Sequence, residues 1–452
     1  MLWNNAWSAG YFITEWKQEN RVVIPKIGRD DYNDCNSYRI VSITSCLGKR
    51  FKHITSQRLI TALELLDFDD CQFACMKERS ATQALLILVE QVQKVGVVFY
   101  DFTDAFRTVN GNRLLYKLGN DFGISGKLFL HIHSFLSDRF ARIKIDNTLR
   151  EWIESEVGTS PGTALGPLLF IVDGHDVPHC ISPKFADDMV TVAVDDDIHV
   201  EQKLQQATND LTNWSQNEGM DINVSKTKVM VFGNQTGKID TKIHGSSVEN
   251  VTSYKYLGIL LDSDLNFSMH TEYAVGKAKR ASAKICRLIE GDRCTSEYRN
   301  RAIQDTSKTT PRICFTGVWS SIPEKDVLKL EKVQHQCLKR MIGSKAHSSS
   351  AAAEVAAGVL PFRFQKRELC CREYARKKCE DENHLLVKLL KSSIRAGMRF
   401  CPLEYIRVVS TELERAVSGC IIRRRSTFSV AEVMTTTQQQ HPFNGPFLGQ
   451  PR

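Results

Sequence analysis

Two adjacent carboxylates, Asp187 and Asp188, follow Phe185-Ala186 and precede the apolar run Met189 to Val194. At the start of a strand each raises the other's pKa, and partial burial adds to the cost. A divalent cation removes that cost. Asp101 ends a second compact run, Val95 to Tyr100, whose length and β-branched content read as a buried strand. Three carboxylates from neighbouring strands suffice to hold two Mg²⁺ about 3.5–4 Å apart, an arrangement that activates a 3′-hydroxyl and stabilises a leaving pyrophosphate. Taken alone, the same residues are better accounted for by a polar turn and a strand end, because Asp-Asp pairs are common in turns.

The elements that would position these groups can be read along the chain. Residues 22–26 form a short strand closed by Pro25, and Asp30, Asp31, Asn33 and Asp34 mark a loop. Residues 53–66 and 80–93 have helical character, with Ala84, Leu85, Leu88 and Val89 at helical spacing. Val200, Leu204, Ala207, Leu211 and Trp214 fall on one helical face that Gly219 ends. Val229 to Phe232 and Ile259 to Leu261 are further strands. Ala274, Ala278, Ala281, Ile285 and Leu288 line one helix with lysines and arginines on its other faces. Val327, Leu330, Val333, Cys337 and Met341 line another, opened by Ser321, Pro323 and Glu324. Ser348 to Ala353 reads as a small-residue linker, and Thr435 to Arg452 as a disordered tail. An α+β body is therefore expected, followed after about residue 268 by helices.

Bulk properties narrow the classes. The chain has 452 residues, 42% hydrophobic and 25% charged, a balance that supports a sizeable core. The net charge of +8 suits a polyanionic partner and equally a solvated basic face. The 14 cysteines form no CxxC pair. The spacing of Cys370, Cys371, Cys379 and His384 fits no zinc pattern, so buried thiols are the better reading. Met1 to Gly10 lacks a basic segment followed by an apolar run. The longest apolar stretch, Leu165 to Val172, falls short of the ~18 residues that cross a bilayer. An intracellular, reducing location is expected, nucleus or cytoplasm open, with no membrane partner.

The order of the motifs carries a resemblance. Asp101-Phe102-Thr103-Asp104-Ala105-Phe106, the segment Gly158 to Phe170, Phe185-Ala186-Asp187-Asp188, Asn223 with Lys226-Thr227-Lys228, and Tyr256-Leu257-Gly258-Ile259 with Asp262 follow one another. This series resembles the reverse transcriptases of LINE-type (non-LTR, jockey-like) retrotransposons. Upstream, Ile24-Pro25-Lys26, Asn36 to Arg39, Gln72-Phe73 and Arg79-Ser80 resemble the family's fingers, and Trp319 its thumb. The resemblance covers about residues 3–345. It implies a right-hand polymerase fold: fingers and palm over 1–262, a helical thumb over 263–345, a basic helical region over 346–434 and the tail over 435–452.

It also implies an RNA-directed DNA polymerase using two Mg²⁺ (or Mn²⁺), with RNA template, DNA primer and dNTPs as partners. Asp101, Asp187, Asp188 and the backbone carbonyl of Phe102 would be metal ligands. Lys226 would protonate the leaving pyrophosphate, and Lys26 and Arg39 would hold the triphosphate. Phe106 would gate against the ribose 2′-hydroxyl, and Gly162 would let backbone approach template or nucleotide. The basic helices after residue 268, with Arg363, Lys366, Arg367, Arg372, Arg376, Lys377 and Lys378, would track a nucleic-acid backbone.

Some positions depart from that pattern. Arg107 stands where an Asp is usual, and a cation there is expected to compete with metal at Asp101. Ser160-Pro161 replaces Pro-Gln, Asp173 and His175 replace Tyr and Asn, and Ile40 replaces a Pro. Residues 293–316 read as a polar, degenerate patch that would leave a hole in the thumb. The chain starts inside the fingers, so no endonuclease is expected. These departures give the alternative, a relic that binds nucleic acid without catalysis.

Overall fold

The computed structural model describes residues 2–26, 28, 30–66, 68–91, 95–145, 148–155, 158–159, 163–194, 197–233, 238–289, 323–359, 361–362 and 365. The chain divides into two compact units, Met1–Leu257 and a second from Gly258 onward.

The first unit opens with α1 (Leu2–Ser8), α2 (Thr14–Lys17), β1 (Glu19–Pro25), β2 (Tyr38–Thr44), α3 (Cys46–Leu65) and α4 (Ala81–Gln91). Then come β3 (Val95–Tyr100), β4 (Phe102–Thr103), α5 (Gly111–Asn120), α6 (Gly126–Leu136), β5 (Phe140–Ile145), β6 (Thr148–Leu149), β7 (Ile153–Glu154) and α7 (Leu165–Asp173). The unit continues with β8 (Ile181–Phe185), β9 (Asp188–Val194), α8 (Asp197–Asn217), β10 (Asp221–Ile222) and β11 (Lys228–Phe232). It closes with β12 (Lys242–Ile243), β13 (Ser246–Ser247), β14 (Glu249–Asn250) and β15 (Ser253–Tyr256).

Two sheets organise it. The central sheet has the order β14-β11-β3-β9-β8, with β3 between β9 and β11 and antiparallel to both. Its middle strand is the apolar run expected to be buried, and Val97, Val98, Phe99 and Tyr100 are all buried. The α8 helix packs on this sheet through the apolar stripe read from the sequence: Val200, Leu204, Ala207, Leu211 and Trp214 are each buried. Gly96 permits the close approach, since a Cβ there would lie 2.6 Å from Leu204 Cδ1 and from Ile239 Cδ1. A hydrogen bond between the Tyr100 and Thr208 hydroxyls, 2.9 Å, satisfies the polar ends inside this layer. The second sheet has the order β2-β1-β5-β6 with β7 on β5; β1 and β2 are antiparallel, β1 and β5 parallel.

Two elements differ from the sequence reading, one in each unit. The α3 helix starts at Cys46, well before residue 53, because the Ser45 hydroxyl accepts from the Gly48 N–H and so caps a polar first turn that lacks apolar periodicity. The run Leu165–Val172, read as too short to span a bilayer, is a buried helix, and no helix among the described residues is long and apolar enough to cross a membrane.

That unit contains β16 (Ile259–Asp262), α9 (Ser268–Ile289), α10 (Glu324–Met341) and α11 (Ser350–Ala357). Asp262 turns the chain from β16 towards α9, its carboxylate accepting from the Asn266 and Phe267 N–H groups at 2.9 and 2.8 Å. The apolar stripe expected on α10, Val327, Leu330, Val333, Cys337 and Met341, is buried. The segment read as a linker, Ser348 to Ala353, instead runs into α11. The Ser349 side chain accepts from the Ala352 N–H at 3.3 Å, alanines propagate the helix, and Gly358 closes it. Residues 293–316, Trp319, the basic run from Arg363, the Cys370–His384 cluster and the tail from 435 lie outside the described residues.

Candidate active site

The register of the central sheet decides where the carboxylates go. Tyr100 on β3 pairs with Met189 on β9. One step further along each antiparallel strand, Asp101 therefore stands opposite Asp188. In the β8/β9 hairpin Phe185 pairs with Asp188, which leaves Ala186 and Asp187 as the two turn residues. Ala186 has a φ of +55°. A positive φ at the first turn position is typical of tight hairpins, and for an alanine it costs roughly 1–3 kcal/mol.

Gln72 holds that turn. Its buried side-chain carbonyl accepts from the Ala186 N–H and from the Ala74 N–H, each at 3.0 Å. Beside it the Phe73 N–H donates to Lys184 O at 2.8 Å and the Lys184 N–H to Cys71 O at 2.9 Å. Asp101 is braced by the turn after β10. The Asn223 N–H donates to Asp101 O at 2.7 Å, and the Asp101 N–H donates to Thr227 Oγ1 at 3.3 Å. Lys226, from the same turn, places Nζ 3.0 Å from Asp101 Oδ2.

The charges interact as their placement requires. Burial and then the Asp101 charge raise the pKa of Asp187 above the usual carboxylate range. Asp188, although solvent-accessible, is pushed up to about 6 by burial, then by Asp187 and Asp101. Tyr254 stacks on Phe99 with centroids 4.5 Å apart, and its hydroxyl is pushed up to about 12 by burial and by Asp188 and Asp101. Among the described residues, Asp187 and Asp188 have no cation partner, whereas Asp101 has Lys226.

Phe106 sits half-buried in a single helical turn, its ring 4.9 Å from that of Phe170. The Thr159 N–H donates to Phe106 O and the Gly158 N–H to Val109 O, both at 2.8 Å. Gly158 has a φ of +84°, and a Cβ there would lie 2.8 Å from Arg107 Cα. Only glycine lets the chain ahead of α7 press against the Phe106 segment this closely. Arg107 turns to Asp104, 3.6 Å away, in an exposed pair; the cation beside Asp101 is Lys226. Phe102 is buried in β4 opposite Ile222. Lys26 and Arg39 share the loop end of the β1/β2 hairpin, with Arg39 opposite Ile24 and the Lys26 N–H donating to Ser37 O at 2.8 Å. Gly162, Ser160 and Pro161 lie outside the described residues.

The fold thus gathers Asp101, Asp187, Asp188 and Lys226, while Lys26 and Arg39 stand on the other sheet. Sequence reasoning missed the positional roles of Gln72, Gly158 and Tyr254. Tyr254 had a signal: it lies two residues before Tyr256, on the same side of a strand.

Among the described residues, no group of three or more His, Cys, Asp or Glu side chains is placed to hold a metal ion by itself, Asp101, Asp187 and Asp188 included. Mg²⁺ usually takes one or two carboxylates and completes its shell with water and substrate phosphate oxygens. The surplus negative charge on Asp187 and Asp188 is also what a divalent ion would neutralise.

An α+β unit with acidic residues at adjacent strand ends, a braced hairpin turn and a neighbouring lysine fits the class of nucleotide polymerases. The chain belongs to the reverse transcriptase (RNA-dependent DNA polymerase) family, whose sequence model matches residues 24–261. It is 28% identical over 291 residues to the RNA-directed DNA polymerase from the mobile element jockey of Drosophila melanogaster, covering 60% of this chain and 31% of that protein. It is 25% identical over 362 residues to the probable RNA-directed DNA polymerase from transposon BS of the same species, covering 75% and 40%. The chain therefore spans about a third of these curated relatives. Among solved structures, a Candida tropicalis telomerase gives a TM-score of 0.42 at 12% identity, over 79% of this chain and 66% of that one. The RNA-dependent RNA polymerase of a human picobirnavirus, in an insertion-loop deletion mutant, gives 0.41 at 13%, over 83% and 64%.

Proposed function

We propose that this chain extends a DNA 3′ end on an RNA template from dNTPs, as the reverse transcriptase of a non-LTR retrotransposon. The observation that carries the reading is the strand register, Tyr100 opposite Met189 and Phe185 opposite Asp188, which sets Asp101 and Asp188 at adjacent strand ends with Asp187 in the adjoining turn. Asp101, Asp187, Asp188 and the Phe102 carbonyl would hold two Mg²⁺, or Mn²⁺ in their place. The ions, when bound, would supply activation of the 3′-hydroxyl and charge stabilisation of the pyrophosphate.

The chain's own groups do the rest. Gln72 and the Asn223–Thr227 turn keep the carboxylates in place. Lys226 is the proton donor to the leaving pyrophosphate; its approach to Asp101 puts an ammonium at the site. Lys26 and Arg39 bind the triphosphate, Phe106 excludes a 2′-hydroxyl, and Gly162 gives template or nucleotide close access to backbone.

The test is primer extension by the full chain with an RNA template, a DNA primer, dNTPs and Mg²⁺. Extension by the parent chain, with at least a hundredfold loss in Asp187→Ala, is the expected result, roughly the scale of removing a main electrostatic contribution to transition-state binding. Binding of the template–primer without extension in the parent chain would overturn it in favour of the relic.

A further inference from the structure

Behind the second sheet, on the face opposite Arg39, cations are buried in excess of acids. Paired residues on neighbouring strands share a face. Glu19 therefore shares this one with Thr44 and Ala141, and Arg21 with Ser42 and Ile143. Arg139 stands two residues before Ala141, and α3, which follows β2, brings Lys52. Lys52 is 0% exposed and Arg139 5%. Burial pulls the Lys52 pKa down to about 8, with Glu19 attracting its charge and Arg139 opposing it. Burial also lowers Arg139, again with Glu19 attracting and Arg21 opposing. Glu19 already lies 3.7 Å from Arg21, so three cations draw on one carboxylate. Lys17 is near but provided for: its Nζ donates to Ser134 O and Ser137 O at 2.9 and 2.8 Å, and Asp138 offsets its charge. Four buried donors here have no hydrogen-bond partner among the described residues: Lys52 Nζ, Arg139 Nε, Ser42 Oγ and Thr44 Oγ1. Lys52 Nζ has only the Phe135 ring, 5.1 Å from its centroid.

We propose that this buried face holds a small monovalent anion of the chloride class between Lys52 and Arg139, with the Ser42 and Thr44 hydroxyls as further donors. Buried donors and buried cations are costly until an acceptor and a countercharge meet them, and one anion supplies both. Arg139 also lines a cavity of about 350 Å³ with Asp138, Glu154 and Ser155, and Arg21 Nη2 donates to that Ser155 at 2.8 Å. The cavity is the way in from solvent, and its two carboxylates disfavour a multiply charged anion such as sulfate. The bound ion ties α3 and the start of β5 to the β1/β2 hairpin. None of this rests on the function proposed above.

The experiment melts the full chain at pH 7 in sodium chloride and in sodium gluconate, whose anion is too bulky for the site. Ionic strength is matched, and no nucleic acid or nucleotide is present, so an inactive chain can pass and an active one can fail. The parent's melting temperature is expected to climb with chloride and level off, by roughly 2–5 °C at ten times the dissociation constant. Lys52→Met, of similar length and without the charge, is expected to lose that rise. Thr44→Val is expected to move the half-effect chloride concentration up severalfold. A parent that melts alike in the two salts overturns the proposal and leaves water as the partner of these donors. A rise of parent size in Lys52→Met overturns it as well, because the chloride would then act elsewhere. If Lys52→Met fails to fold, Thr44→Val and Ser42→Ala decide: an unchanged half-effect concentration in both rejects the anion.

Discussion

At the ends of α5, α7 and α8, Arg113 and Lys117 meet Asp173, Asp176 and Glu218; at the ends of β3 and β9, Lys226 meets Asp101, Asp187 and Asp188. Both clusters hold three carboxylates. In the first, each carboxylate has a cation. Arg113 grips Asp173 through two bonds of 3.1 and 2.6 Å and reaches Glu218 at 2.8 Å. Lys117 reaches Asp176 at 2.9 Å and Glu218 at 3.1 Å, and the Trp214 indole N–H donates to Asp176 at 3.0 Å. Burial works to raise Asp176, yet the bonds from Trp214 and Lys117 hold it below its ordinary value, whereas burial raises Glu218 despite Lys117 and Arg113. In the second cluster a single lysine serves Asp101, and both other carboxylates are shifted upwards. The difference is one of charge matching: in the first cluster each carboxylate has a cation and helices are tied together, and in the second the unmatched charge is what the proposed Mg²⁺ would neutralise.

The strongest way to break this contrast is Arg113→Ala. It leaves the fully buried Asp173 carboxylate without its guanidinium, and stranding a buried charge costs about 3–5 kcal/mol. A large drop in melting temperature is expected. A variant that melts with the parent would show that the first cluster does not brace the unit.

Asp188→Asn probes the other cluster and carries the opposite sign. The pKa of Asp188 is about 6 in the folded chain, above the carboxylate value of 3.8. Between these values the folded state holds more protons than the unfolded one. The stability from this group is full below about 4 and lost as pH rises through 6. Without Mg²⁺, Asp188→Asn is expected to melt slightly above the parent at pH 8 and with it at pH 4. After solvent screening of an accessible group, the gain is on the order of 1 kcal/mol or less. Added Mg²⁺ is expected to raise the parent's melting temperature more than the variant's. Equal rises would remove Asp188 from the metal site.

The sequence made the strands legible because β3 and β9 are apolar runs that stop at acids, and α8 and α10 because their stripes keep helical period. The placement of the three carboxylates at strand ends was legible for the same reason. What joins the parts was not legible. Gln72 acts 114 residues away on Ala186, and nothing near Gln72 in the sequence announces a partner at that distance. Gly158 looked like one glycine in a motif; the cost of a Cβ against Arg107 exists only after the chain folds. Ser349 and the alanines after it have a linker's composition, and the cap that makes them a helix is a single hydrogen bond.

Arg107 supplies the smallest effect and a sharp limit on the contrast. From the sequence it is a cation poised to disturb Asp101. In the fold it pairs with Asp104 at 3.6 Å, with both side chains at least half exposed. Exposed pairs of this kind contribute ~0–1 kcal/mol, and salt screens whatever reaches Asp101 beyond about 10 Å. Arg107→Ala is therefore expected to leave the melting temperature nearly unchanged and the Mg²⁺ concentration for half-maximal stabilisation within a factor of two. Lys226→Gln, which removes the charge 3.0 Å from Asp101, should lower that concentration more than Arg107→Ala does. If Arg107→Ala tightened Mg²⁺ as much as Lys226→Gln, the second cluster would hold two cations, and the division between matched and unmatched charge would no longer separate the brace from the site.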